Sequence, residues 1–129
     1  MDSYKIGLDF GTTNSIISYL KQGEPIAYKY GSPGQQEEYI PSFITYEEDF
    51  IEIGNAARIA ATNDANIESY GNFKMQLPIA EQQFSNYVKN GRNPIQLTTD
   101  YLRQLFLSPD NSYNFSRQEG EISGIVVSV

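Results

Sequence analysis

The sequence predicts a mixed α/β fold, and three observations carry that expectation. Residues 4–30 alternate apolar and polar positions at the two-residue period of strands. Residues 93–106 carry the capping and spacing of an amphipathic helix. The chain then closes on a β-branched run, Ile122-Ser123-Gly124-Ile125-Val126-Val127-Ser128-Val129. With 129 residues, 40% of them hydrophobic, the chain can bury one modest core.

The elements follow in order. Tyr4 to Phe10 reads as a strand, with Ile6, Leu8 and Phe10 on one face. Gly11-Thr12-Thr13-Asn14 is a turn, and Ser15 to Leu20 returns as a second strand. Gln22-Gly23-Glu24-Pro25 turns again into a third strand over Pro25 to Tyr30, which predicts a meander. Gly31 to Glu38 is a loop. Pro41 to Tyr46 and Phe50 to Ile53 are strands joined by an acidic turn, Glu47-Glu48-Asp49. Its three carboxylates are sequential rather than spaced around a loop, so a solvated turn is expected, not a cation site.

Asn55 to Thr62 is rich in Ala and predicts a short helix. Asn63 to Gly71 is polar and expected to be irregular. Pro78 ends any helix begun at Phe73, and Pro78 to Asn93 has no clear period. Asn93 is placed as an N-cap, with Pro94 at the first helical position and Gln96 at the capping-box position. Leu97, Tyr101, Leu102, Leu105 and Phe106 form its apolar face until Pro109-Asp110-Asn111 stops it. The final β-branched run has the composition of a central, buried strand. A domain rarely stops within its most strongly strand-forming segment, so a cut or truncated chain is expected. No internal repeat is present.

Composition removes whole classes of chemistry. The chain has no Cys and no His, which excludes disulfides, thiolate chemistry, imidazole bases and His-ligated zinc. A net charge of -7 opposes general binding of nucleic acid, which needs clustered Lys and Arg. No basic leader with a long apolar run opens the chain, and no stretch approaches the roughly 20 apolar residues of a membrane span. A soluble, cytoplasmic protein is expected.

The chemistry concentrates at Asp9-Phe10-Gly11-Thr12-Thr13-Asn14, between two strands. Gly11 lets backbone turn tightly and approach a ligand, and the amides after it can form an anion-binding nest. The hydroxyls of Thr12 and Thr13 can donate to phosphate oxygens. Asp9 would repel phosphate unless a cation lay between them, and hydrated Mg²⁺ suits that place. A plain hairpin in which Gly and Asn supply unusual backbone angles has the same residues, and the residues alone leave both open. No Walker A loop and no Gly-x-Gly-x-x-Gly occurs.

Five segments, in order, resemble the heat-shock-70 chaperone family. Ile6-Gly7-Leu8-Asp9-Phe10-Gly11-Thr12-Thr13-Asn14-Ser15 is similar to its first phosphate signature. Ile40-Pro41-Ser42-Phe43-Ile44 resembles its Thr-Pro-Ser strand, with Ile40 in place of Thr. Ile53-Gly54-Asn55-Ala56-Ala57 resembles a helix start of the family. Asn72-Phe73-Lys74-Met75-Gln76-Leu77 resembles its Lys-Arg-Leu segment, with Met75 where Arg is usual. Ile122 to Val129 resembles a strand that adds beside the first.

The resemblance implies the first lobe of an actin-like (ribonuclease H-like) ATPase domain. Residues 1–38 and 116–129 would form its core lobe and 39–115 an accessory subdomain. It implies ATP or ADP with Mg²⁺ as cofactors. Gly11, Thr12, Thr13 and Asn14 would line the phosphate pocket, Asp9 would hold the metal through water, and Lys74 would act on the γ-phosphate. The parent's partners would be nucleotide, unfolded polypeptide clients and co-chaperones, with neither nucleic acid nor membrane. The second phosphate loop, the adenosine motif and the peptide-binding domain of the family are not in this chain, so the chain by itself is expected to be inactive. Sugar kinases and filament-forming ATPases share the Asp-x-Gly-Thr hairpin, although the Lys74 and Pro41-Ser42 segments separate the chain from them. A non-enzymatic adaptor that keeps the lobe without the chemistry is a further alternative.

Overall fold

A computed structural model describes residues 3–77 and 92–128. The expectation for Pro78 to Asn93 falls almost wholly outside these residues. The fold is mixed α/β. One sheet has the order β3-β2-β1-β8, formed by Glu24–Ala27, Asn14–Lys21, Ser3–Phe10 and Glu121–Ser128, with β4 (Ile40–Pro41) also paired to β2. A second sheet has the order β6-β5-β7, formed by Phe50–Ile53, Phe43–Glu47 and Glu68–Gly71. The helices are α1 (Gly54–Asn63), a 3₁₀ turn at Phe73–Gln76, α2 (Pro94–Phe106) and α3 (Phe115–Gln118).

Alternation decides the first sheet. Tyr4, Ile6, Leu8 and Phe10 of β1 point into the core, and Ile17 and Tyr19 of β2 join them. β1 and β2 pair antiparallel from Ile6↔Tyr19 to Phe10↔Ser15. β8 runs parallel to β1, with Leu8 opposite Val127 and Asp9 opposite Ser128. The final strand therefore does add beside the first. It is not buried, however: Ile125, Val126 and Val127 are 42%, 77% and 51% exposed. β8 ends the strand order, so only β1 covers its edge among the described residues. Its β-branched composition favours extended backbone whether or not a second neighbour is present.

Helix α2 forms where its cap and spacing place it. The Asn93 side chain accepts a hydrogen bond from the Gln96 amide at 2.9 Å, and Pro94 opens the helix. Leu97, Tyr101, Leu105 and Phe106 are buried along one face. Arg92, just before the cap, lies over the Tyr46 ring at 3.6 Å and pairs with Glu68 at 2.6 Å. The Tyr46 hydroxyl in turn donates to Asp100 at 2.7 Å, tying β5 to α2.

Three local expectations fail. Asn63 to Gly71 is not wholly irregular, because Glu68–Gly71 pairs with β5 from Tyr46↔Glu68 to Phe43↔Gly71. The third strand ends at Ala27 rather than Tyr30; beyond it, Tyr30 bridges to Glu37 across the loop. The strand expected over Pro41 to Tyr46 is split at Ser42, which turns its side chain and amide to the first hairpin.

Candidate phosphate-binding hairpin

The residues between β1 and β2 do not form an ordinary glycine turn. Neither Gly11 nor Asn14 has a left-handed backbone, so the unusual angles expected of a plain Gly-Asn turn are not what shapes this loop. Gly11 is needed for a different reason. Its amide donates to the Asn14 carbonyl at 3.0 Å, and a Cβ at Gly11 would stand 2.4 Å from that oxygen. The loop closes on itself so tightly that only a bare α-carbon fits.

A second segment clamps the loop from outside. The Ser42 amide donates to the Thr13 carbonyl at 2.8 Å. The Ser42 hydroxyl donates to the Gly11 carbonyl at 2.9 Å and lies 3.1 Å from the Ser15 hydroxyl. Ser15 and Ser42 are both buried, so these polar groups are satisfied by one another. Pro41 and Ile40 pair with Asn14 and Ser15. Their carbonyls accept from the Tyr101 hydroxyl at 3.1 and 3.2 Å. Burial pushes the Tyr101 phenol above its ordinary pKa, which keeps it a neutral donor.

The carbonyls of Gly11 and Thr13 are thus engaged with Ser42, while the Thr12 and Thr13 amides donate to no acceptor among the described residues. Two adjacent N–H groups of the loop thus lack an acceptor among the described residues. Thr13 is exposed, and Gly11, Thr12 and Asn14 are half-buried. Asp9 is exposed at the end of β1, where its carboxylate lies 3.4 Å from the Ser128 hydroxyl. Among the described residues no group of three or more Asp or Glu is spaced to hold a metal directly.

Lys74 sits in the 3₁₀ turn, half-buried, with its Nζ 5.7 Å from the centroid of the Phe10 ring. Phe10 immediately precedes Gly11, so a cation from a distant segment stands next to the hairpin. Sequence reasoning missed the supports of this site: Ser42, Tyr101 and the Phe10 ring. The Pro41-Ser42 pair was a signal for the first, since a buried Ser after Pro in a strand needs a partner. The other two have no local signal.

No protein-family model matches the chain. It is similar to proteins named chaperone protein HscA homolog: 25% identical over 148 residues in Pseudomonas fluorescens and 27% over 145 residues in Pseudomonas paraeruginosa. The homolog of Shewanella putrefaciens is 25% identical over 143 residues. Each comparison covers 96% of this chain, and the chain spans 22% of the length of each relative. Among the described residues no helix is long and apolar enough to cross a membrane. Along almost all of its own length, the chain is thus similar to proteins named as HscA chaperone homologs, at about a quarter identity, which supports the resemblance to the heat-shock-70 family.

Proposed function

We propose that this chain forms one wall of the nucleotide site of an ATP-hydrolysing, heat-shock-70-type chaperone, within the first lobe of an actin-like domain. The observation that carries the proposal is the hairpin itself: a loop pinned by Ser42, closed without left-handed residues, with two adjacent amides that have no acceptor among the described residues. Similarity to HscA chaperones over 96% of the chain supports it. This reading keeps a core lobe over 1–38 and 116–129 and an accessory subdomain over 39–115; the second sheet lies within the latter, and β4 of the same stretch pairs with β2.

In this reading the Thr12 and Thr13 amides and hydroxyls, with Asn14, hold the β- and γ-phosphates of ATP or ADP. Gly11 lets the loop close on the Asn14 carbonyl, which sets the course of the amides that follow it. Mg²⁺, when bound, supplies charge neutralisation at the phosphate oxygens, and Asp9 would hold its hydration shell. Lys74 offers a compact positive charge for the phosphoryl group in transfer to water. One wall cannot exclude water from both sides of a nucleotide, so the chain alone binds weakly and does not turn over. Clients and co-chaperones belong to the parent chain.

Calorimetry with Mg-ATP tests the division of labour: very weak binding and no hydrolysis are expected, and micromolar affinity would contradict it. A longer parent chain should hydrolyse ATP and lose that activity in Lys74→Ala. Met75, where the family usually has Arg, favours one second reading, an adaptor without chemistry. Absence of hydrolysis both in the parent and in its Lys74→Ala variant would select that reading.

A further inference from the structure

We infer that the face of Phe10 is the seat that holds Lys74 beside the 11–14 hairpin, which makes Phe10 a positioning residue for the phosphate-binding cation. The inference rests on the phosphate reading above and adds to it a residue that the reading does not use.

Lys74 has no carboxylate partner among the described residues, whose ion pairs are Lys21 with Glu119 and Arg92 with Glu68. What it has is the Phe10 ring, at 5.7 Å from Nζ to centroid, inside the ~6 Å range of cation–π attraction. A carboxylate at this place would neutralise the ammonium and compete with phosphate for it. An aromatic face attracts the ammonium and leaves its charge and its three N–H donors available.

The seat is itself fixed. Phe10 is 4% exposed, stacked on Tyr101 at 6.0 Å and packed against Phe73 at 6.3 Å. Phe73 meets Tyr101 edge-on at 5.5 Å and directly precedes Lys74 in the chain. Tyr101 is held by the Ile40 and Pro41 carbonyls, and Pro41 pairs with Asn14. The circuit from hairpin to lysine therefore closes through three rings. A leucine at position 10 would keep the core apolar, though with less volume, and give the ammonium no quadrupole to rest on.

The experiment uses the 129-residue chain with ¹³C-labelled lysine, read by NMR. The Lys74 ε-methylene signals are expected upfield of the exposed lysines through the ring current of Phe10, and Phe10→Leu should return them to the exposed-lysine position. With tripolyphosphate as probe, affinity read at the Gly11 to Asn14 amides should fall about two- to fivefold in Phe10→Leu. Lys74→Met should lower affinity at least as much, and adding Phe10→Leu to it should cost nothing further. Lys74 signals at the exposed position in the unsubstituted chain would overturn the inference, as would signals unmoved by Phe10→Leu or losses that add in the double variant. If Phe10→Leu does not fold, the position of the unsubstituted signal, assigned by its disappearance in Lys74→Met, decides alone. Ring-shifted Lys74 signals without any tripolyphosphate response at the hairpin would support the seat and overturn only the phosphate reading.

Discussion

Strand β2 begins in one tight turn and ends in another, and the two are built on opposite principles. At its far end, Gln22 and Gly23 join β2 to β3 with φ values of 53° and 80°. That is the two-residue, left-handed turn that matches the twist of paired strands. A Cβ at Gly23 would meet nothing within 4 Å. At the near end, Gly11 has no left-handed backbone, yet its Cβ position is blocked by the Asn14 carbonyl. The first glycine is required by space and the second by backbone angle. A turn that only reverses the chain needs no outside clamp, whereas the hairpin at 11–14 recruits Ser42 and, through Ile40 and Pro41, Tyr101.

The largest effect should come from the blocked glycine. Gly11→Ala places a methyl against backbone that no flexible side chain can vacate, and a loss of about 3 kcal/mol in urea unfolding is expected. A loss as small as that at an open turn would show the loop to be soft. Ser42→Ala comes next. It strips the Gly11 carbonyl and the Ser15 hydroxyl of a buried partner, at a cost of about 1–3 kcal/mol. Amide exchange should rise at Gly11 and Asn14 and stay unchanged at Gly23. Gly23→Ala is the matched control: only its positive φ opposes the methyl, and about 1 kcal/mol is expected.

The difference between the turns also marks what was legible in the chain. Helix α2 could be read because Asn93, Pro94 and the apolar spacing from Leu97 to Phe106 are local signals. The strands β1 and β2 could be read because their alternation is local too. Strand β7 could not, since Glu68-Ser69-Tyr70-Gly71 has no period and becomes a strand only by pairing with β5. The phosphate-like composition of residues 11–14 was visible, but not why Gly11 is needed. That reason lies in the Asn14 carbonyl, within a loop whose Gly11 and Thr13 carbonyls are held by Ser42, thirty-one residues from Gly11. The exposure of β8 was hidden for a related reason: composition specifies extended backbone, and tertiary neighbours decide burial.

The smallest effect concerns Glu52 on β6, remote from both turns. Burial raises its carboxyl above the ordinary value of 4.5. The folded state therefore favours the protonated form. Its contribution is fully present below pH 4.5 and is lost as pH rises through the raised value. Glu52→Gln, which mimics that protonated carboxyl, should raise the unfolding temperature at pH 7 and change nothing near pH 4. A gain of equal size at both pH values would mean that charge burial is not its cause. Both turns should be unaffected, so amide signals at Gly11 and Gly23 should not move.

In the proposed function, one end of β2 meets phosphate and the other does not. Titration of the chain with Mg-ATP, followed through backbone amide signals, tests it most directly. Weak, saturable shifts are expected at Gly11, Thr12, Thr13 and Asn14, and none at Gln22 or Gly23. Shifts that spread equally over both turns, or that leave the first hairpin untouched, would contradict it.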